Sequence, residues 1–308
     1  MIRQALLAAM LVVLLASTRA QAAVPDFRDY QSLLSKYVVR IAEKGQPFDT
    51  RFDYEQLYVD EKIWTLKRSA RLEQVHAQLL AANPSAMTPA ARLAWALNTY
   101  NFLVIEQVTV NLILPPRENV RFSFIRYSNV DQINTTGSGF FHTNVADVEG
   151  LHYTLDSFRR RFVFGDTTSG NGPRAPLRDP RVRFAINPGR IGAAPLMPFA
   201  FHSDSLDRQL DRATRAALAL SRFVTVRTNP PQLLVSDDLA RDLGDFGGTE
   251  QGMLAFVRRY APRALTDATK KAGLTAVSRY MQPDPKLNQK AHPKLIMPTP
   301  ADGDSVSP

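Results

Sequence analysis

The stretch PAARLAWALNTYNFLVIEQVTVNL, residues 89–112, predicts a helix that is apolar nearly all round. Thr88 and Pro89 are typical of a helix start, because a hydroxyl can cap the first free N–H groups and proline has no N–H to leave unpaired. The Leu, Trp, Phe, Val and Ile side chains leave little room for a solvated face. We therefore expect this helix at the centre of the hydrophobic core.

Polar side chains inside the helix are the first candidates for a functional role. Asn98 and Asn101 are three residues apart, with Tyr100 beside them. Burying an amide without partners costs about 1–3 kcal/mol, so each asparagine is expected to have a fixed partner. Two alternatives follow: a structural hydrogen bond to the backbone of a neighbouring loop, or a place in the wall of a polar cleft.

A second informative run is DPRVRFAINPGRIGAAPL, residues 179–196. Its β-prone part, residues 182–187, predicts a strand that leads into a loop rich in glycine and proline, and such loops often carry sites. Helical periodicity predicts further helices over residues 61–82, 204–222, 250–260 and 262–281. Two short β-prone segments around Asn229-Pro230-Pro231 predict a hairpin over residues 223–235.

These patterns predict a helix-rich α+β fold, with one domain packed on a small, mainly antiparallel sheet. The domain is expected to extend from about Asp26 to Gln282, followed by a flexible tail over residues 283–308. The first 22 residues, MIRQALLAAMLVVLLASTRAQA, combine a basic start, about a dozen apolar residues and a small-x-small end. They predict a signal peptide, so the mature chain is expected to be periplasmic or secreted, without a membrane span.

Composition limits the chemistry. The chain has 308 residues, a net charge of +9 and no cysteine. The absence of cysteine excludes disulfides, thiol nucleophiles and thiolate metal sites. The basic charge favours an anionic partner, but the aromatic residues do not alternate with the basic ones as nucleic-acid stacking would require, so nucleic acid is not an expected partner.

The chain resembles the domain of unknown function 547 family over roughly Phe52 to Asn288. The resemblance depends on the order and spacing of several short motifs, since each motif alone is common. The motifs are Asn98-Thr-Tyr-Asn101, Leu155-Asp156, Asp179 to Asn187 with Gly189, Leu206-Asp-Arg-Gln-Leu-Asp211, Tyr260 and Leu287-Asn288.

The chain departs from the family pattern at its reactive positions. Where the family usually has two cysteines in the loop, this chain has Pro188 and Ala193. Arg183 stands where the family usually has histidine, and Arg159-Arg160 stands where it usually has Glu-His. The resemblance therefore implies the scaffold of a family site whose thiol and proton-transferring groups are missing.

These observations define one candidate ligand-binding cleft between the apolar helix and the loop that follows residue 187. Its candidate residues are Asn98, Tyr100, Asn101, Arg159, Arg183 and Asn187. Arginine cannot act as a base at neutral pH, but it binds carboxylates and phosphates well. We therefore expect an anionic small molecule or a cell-envelope component as the ligand; the alternative is a solvated arginine face paired with nearby aspartates.

Metal chemistry has one remaining set of candidates. His142 and His152, with Asp147 and Glu149 between them, offer imidazole and carboxylate ligands but no recognised ligand spacing. No cofactor is expected.

The leading functional hypothesis is therefore a non-catalytic or catalytically degenerate periplasmic binding protein. A periplasmic hydrolase that uses the same cleft, and a structural or interaction protein without a pocket, are the alternatives, so enzyme activity stays open.

Overall fold

A computed structural model describes residues 24–41, 45–63, 69–112, 127–133, 139–166, 179–277 and 279–290. The predicted signal peptide over residues 1–22 and the end of the predicted tail, from residue 291, lie outside the described residues. Within the described part of the chain, no helix combines the length and apolar character needed to cross a membrane.

The fold is rich in helices. Its α-helices are α1 (Arg28–Tyr37), α2 (Tyr54–Asp60), α3 (Ala70–Leu80), α4 (Pro89–Val110), α5 (Leu155–Phe158), α6 (Leu206–Leu218), α7 (Asp237–Ala240), α8 (Glu250–Tyr260) and α9 (Arg263–Lys271). A π-helical turn, Arg159–Val163, continues α5 directly. Short 3₁₀ helices lie at Pro84–Ala86, Val130–Gln132, Phe140–His142, Pro180–Ala185 and Leu243–Phe246.

The predicted central helix is confirmed as α4. The Thr88 hydroxyl accepts a hydrogen bond from the Ala91 N–H (3.3 Å), and Pro89 occupies the first turn. From Ala94 to Glu106 every side chain of the helix is buried, polar ones included. The helix packs against α2, α3 and the π-helical turn, so its apolar circumference is covered from several directions.

The strands form three small sheets. Strands β1 (Val38–Arg40) and β2 (Thr50–Phe52) pair antiparallel, as do β3 (Asn144–Val148) and β4 (Leu151–Thr154). The third sheet has the order β5 (Val224–Thr228), β6 (Pro231–Ser236), β7 (Arg279–Met281), in which β5 and β6 form the predicted hairpin and β7 joins in parallel. The fold is thus α+β with small, mainly antiparallel sheets, as the sequence predicts.

Two hydrophobic clusters make up the core. The first surrounds α4 and contains most of the buried side chains before Ala213, including Trp95, Phe102 and Phe158. The second lies between α8 and the β5–β6 hairpin and contains Phe223, Met253 and Val257 among others. Phe184 belongs to the second cluster although Ala185 and Ile186 belong to the first. The segment that carries them therefore runs along the boundary between the two clusters.

The strand predicted over residues 182–187 is wrong, because most of this segment is the 3₁₀ helix Pro180–Ala185. The Asp179 carboxylate accepts a hydrogen bond from the Arg181 N–H (3.0 Å), and Pro180 follows in the first turn. This local capping starts a helical turn. The segment packs against α6, and no strand lies beside it in the described residues to satisfy an extended backbone.

Two predicted helices are shorter than expected. Helix α2 ends at Asp60, and Lys62 has a positive φ of 48° just beyond it. Helix α3 begins at Ala70, where Ser69 caps the start by accepting from the Leu72 N–H; residues 64–68 of the predicted helix lie outside the described residues. The last helix ends at Lys271 rather than near Met281. Gly273 has a φ of 62° there, and the chain turns into β7.

Part of the segment that the sequence places in the tail contacts the domain. Leu287 and Asn288 are buried. The Asn288 N–H donates to the Gly189 carbonyl (2.8 Å), and the Gly192 N–H donates to the Asp284 carbonyl (2.8 Å). Backbone hydrogen bonds therefore hold residues 284–290 against the loop that follows Asn187.

Candidate functional site

The loop after the 3₁₀ helix is organised around one side-chain amide. Asn187 Oδ1 accepts from the backbone N–H groups of Gly189 (2.8 Å) and Arg190 (3.1 Å). Its Nδ2 donates to the carbonyl of Ala194 (2.7 Å). A buried amide with partners on both sides of a loop fixes the loop's shape without further secondary structure.

The two asparagines of α4 also form hydrogen bonds with loop backbone. Asn101 Nδ2 donates to the Ala185 carbonyl (2.9 Å), and its Oδ1 accepts from the Asn187 N–H (3.0 Å). Asn98 makes the same two bonds with the backbone of Phe201, at 2.9 and 2.8 Å. The first of the two sequence alternatives therefore describes these side chains: their amides bond to loop backbone.

Gly189 allows the loop to approach the 3₁₀ helix Val130–Gln132 closely. Its φ is +80°, and a Cβ atom built on it would lie only 2.7 Å from Val130 Cγ1. A side chain here would meet both backbone strain and a steric clash, so glycine is required.

A cavity of about 370 Å³ lies on the outer side of this loop, at the boundary of the two core clusters. Its aromatic wall residues are Phe141, Phe164, Phe184 and Phe223. Its charged wall residues are Arg159, Arg183, Arg190, Arg241, Asp156, Asp238 and Asp242. Aromatic and charged side chains therefore share the wall, so an apolar body and a charged group could both find contacts there.

The cavity brings together four positions at which the sequence departs from the family pattern. Arg159, Arg183, Pro188 and Ala193 all line it, although they come from the π-helical turn, the 3₁₀ helix and the loop. Asn98, Tyr100, Asn101 and Asn187 do not line it. Asn101 and Asn187 bond to the backbone of the segment that forms its wall, whereas Asn98 bonds to the backbone of Phe201. The predicted cleft residues thus divide into a lining group and a supporting group.

Arg183 is held by protein carboxylates. Its Nε donates to Asp245 (2.5 Å) and its Nη2 to Asp242, while its Nη1 donates to the Asp238 carbonyl (3.3 Å). Arg183 is therefore poorly suited to bind an anion, because the anion would compete with two carboxylates that are already paired with it. Arg183 is thus paired with aspartates, as the alternative proposes, but it is largely buried and not part of a solvated face.

Arg159 and Arg190 each have an N–H donor that makes no hydrogen bond within the described residues. Arg159 Nη2 donates to Asp156 (2.6 Å), and Arg190 Nη2 donates to Asp131 (2.7 Å). The buried Nε atoms of both arginines make no hydrogen bond among the described residues. Buried polar atoms without partners are rare in proteins, so a group outside the described chain is expected to accept from them.

Tyr100 lies under the same arginines. Its hydroxyl is fully buried beside the Arg159 guanidinium but makes no hydrogen bond of normal geometry within the described residues. Burial raises the pKa of Tyr100, so the phenol stays protonated at neutral pH and remains a donor. Burial alone would lower the pKa of Arg159, but Tyr100 and Asp156 raise it above its ordinary value, so the arginine stays charged.

Aromatic rings position the guanidinium groups. The Phe164 ring lies 5.6 Å from both the Arg159 and the Arg183 guanidinium carbons, and Phe141 lies 5.3 Å from that of Arg190. These cation–π contacts hold the arginines without using their N–H donors. The residues predicted from the sequence do not include Arg190, Phe141 or Phe164. The Phe140-Phe141 pair in a polar segment is the one usable sequence signal for this group.

The proposed metal ligands do not converge. His142 lines the cavity, whereas His152 pairs with Asp147 on the exposed β3–β4 hairpin. Glu149 accepts from the N–H and the hydroxyl of Ser85 instead. Among the residues that the structure describes, no three His, Cys, Asp or Glu side chains are grouped closely enough to hold a metal ion.

Comparison with known proteins gives one match. The model of the family described as "Protein of unknown function, DUF547" matches residues 84–217. No curated protein and no solved structure matches the chain. The match covers the central helix, the 3₁₀ helix and the loop, whereas the cavity wall formed by Phe223, Asp238, Leu239, Arg241 and Asp242 lies beyond it.

Proposed function

We propose that this chain, whose residues 84–217 belong to the DUF547 family, is an exported, catalytically degenerate binding protein that holds a small anionic molecule in the cavity. The observation that carries the proposal is the convergence of Arg159, Arg183, Pro188 and Ala193 on one cavity wall. These are the positions at which the resemblance implies histidine, glutamate and cysteine groups.

Replacement by these residues changes what the cavity can do. Proline and alanine have no group that can attack a substrate or transfer a proton, and arginine stays protonated at neutral pH. The surrounding loop nevertheless keeps its supports, because Asn101 and Asn187 retain all their backbone hydrogen bonds. A cavity that keeps its shape but lacks the reactive groups at these four positions is suited to binding.

The free donors indicate the charge of the ligand. Arg159 Nε and Arg190 Nε are donors without a hydrogen-bond partner among the described residues, and the Tyr100 hydroxyl lies beside the Arg159 guanidinium. A carboxylate or phosphate oxygen can accept from such a set, and charge-assisted bonds of this kind are the strong ones. Phe141 and Phe164 beside them offer an apolar surface for the rest of the molecule.

The proposal is tested by calorimetric titration with benzoate, phenyl phosphate and inorganic phosphate as probes. Tyr100→Phe and Arg159→Gln are expected to weaken binding of the aromatic anions about tenfold each, the effect of about 1.4 kcal/mol for one charge-assisted bond. Tyr54→Phe is a matched control, because Tyr54 is also a buried tyrosine; neither tyrosine lines the cavity, but Tyr100 lies beside Arg159, which does. Equal affinity in all three variants, or no binding of any probe, would refute the assignment.

The hydrolase alternative makes a different prediction. Among the described residues His142 is the one imidazole that lines the cavity, so a hydrolase would be expected to depend on it. Hydrolysis of p-nitrophenyl esters or phosphates by the wild type, lost in His142→Gln, would favour an enzyme over a binding protein. Asn187→Ala is not a suitable test, because it would remove the hydrogen bonds that fix the loop.

A further inference from the structure

A second concave surface lies on the other side of the π-helical turn. This groove has a volume of about 260 Å³ and is formed by the start of α4, the β3–β4 hairpin and the π-helical turn. Arg159 of the π-helical turn lines the cavity described above, whereas Arg161 and Phe162 line the groove. One irregular turn therefore supplies side chains to two separate concavities, and π-helical turns are frequent at functional sites.

Two arginines give the groove its charge. The side chains of Arg92 and Arg161 are exposed, and neither makes a hydrogen bond or ion pair with any described residue. Glu149 also lines the groove, but its carboxylate accepts from the Ser85 N–H (3.0 Å) and hydroxyl (2.9 Å). The donors of both guanidinium groups are thus available, while the one carboxylate is already engaged.

Apolar surface lies next to these cations. Leu151 is 61% exposed, although it is a large hydrophobic residue on a strand. Tyr153 and Phe162 are partly exposed and contact each other edge to face, with ring centroids 5.0 Å apart. Exposed apolar side chains that line a groove together are more informative than scattered ones, because water contact with each is unfavourable.

The groove is preformed. The Glu149–Ser85 bonds tie the β3–β4 turn to the 3₁₀ helix Pro84–Ala86, and Phe162 contacts the buried Trp95 edge to face, with ring centroids 5.2 Å apart. Both walls are therefore anchored to the core around α4. A rigid site loses little conformational entropy when a ligand binds.

From this arrangement we infer that the groove is a second ligand site, for an anion carried on a flat apolar body. Arg92 and Arg161 would bind the carboxylate or phosphate oxygens, for which guanidinium has matching geometry. Tyr153, Phe162 and Leu151 would cover the apolar body. This site does not depend on the proposed function of the cavity, because the two concavities share no lining residue.

The test uses the full chain and two-dimensional ¹H–¹⁵N NMR titration with phenyl phosphate, benzoate, inorganic phosphate and benzyl alcohol. Phenyl phosphate or benzoate is expected to shift the amide signals of Leu151, Tyr153 and Phe162. Whichever of the two binds more tightly identifies the head group. Inorganic phosphate lacks the apolar ring and benzyl alcohol lacks the anionic group, so each is expected to bind at least tenfold more weakly than the aromatic anions.

Variants locate the site. Arg161→Gln and Arg92→Gln are each expected to weaken the aromatic anion about tenfold at these amides, whereas Arg208→Gln removes an equally exposed, unpaired arginine of α6 and is expected to have no effect. Arg159→Gln should leave the groove signals unchanged, which separates this site from the cavity. Shifts confined to cavity residues, equal binding of inorganic phosphate, or an equal effect of Arg208→Gln would overturn the inference.

Discussion

Asn101→Ala is expected to destabilise the protein strongly, because one buried amide holds two backbone groups of the cavity loop. The change leaves the Ala185 carbonyl and the Asn187 N–H, both buried, without their partner. Each unsatisfied buried group costs about 1–3 kcal/mol, so the free energy of unfolding should fall by about 4 kcal/mol. For a chain of this size the melting temperature should fall by about 10 °C.

The measurement is denaturant unfolding of wild type and variant, combined with hydrogen exchange at the Asn187 amide. Asn111→Ala is the matched control, since Asn111 lies just after the same helix and its amide donates one part-buried bond to Gln107. It should cost less than about 1 kcal/mol. A loss for Asn101→Ala no larger than that of the control, with unchanged exchange at Asn187, would refute the reasoning.

Two further predictions concern the surroundings of the cavity. Burial raises the pKa of Asp49, but bonds with Arg222 and Arg51 lower it more, to below its ordinary value; the native state therefore binds fewer protons than the unfolded state. The ion pair therefore stabilises the fold above pH 3.8, the ordinary pKa of aspartate, and this stabilisation is lost as pH falls below that value. In denaturant titrations, the difference in unfolding free energy between wild type and Arg222→Met should shrink from about pH 6 to about pH 3. A difference that stays constant over this range would contradict the prediction. Gly192→Ala would place a Cβ 2.6 Å from the Asp284 backbone nitrogen, so it should cost about 1–3 kcal/mol and speed tryptic cleavage at Lys286; unchanged cleavage would count against the docking of this segment.

The parts of the fold that sequence predicts well are those in which local pattern and tertiary packing agree. The apolar circumference of α4 and the β5–β6 hairpin appear as expected, because both patterns describe surfaces that must be buried. For residues 182–187, local pattern and tertiary packing disagree, and the predicted strand is wrong. Their β-prone composition reflects burial at the boundary of two clusters, while the Asp179 cap and Pro180 set the local backbone.

The candidate site was predictable in part. Motif spacing brought Arg159 and Arg183 into one hypothesis, and both line the cavity. The sequence could not show that Arg183 is paired with carboxylates, because its partners Asp242 and Asp245 lie about sixty residues away along the chain. Long-range ion pairs leave no periodic pattern, so the choice between a free and a paired arginine requires the structure.

The docking of residues 284–290 has a consequence for the order in which the protein is made. The loop that shapes the cavity donates a backbone hydrogen bond to the Asp284 carbonyl and accepts one from the Asn288 N–H, almost a hundred residues later in the chain. During synthesis from the N-terminus, α4 and the loop emerge well before this segment does. The nascent chain therefore carries an incomplete cavity until nearly all of the domain has been translated.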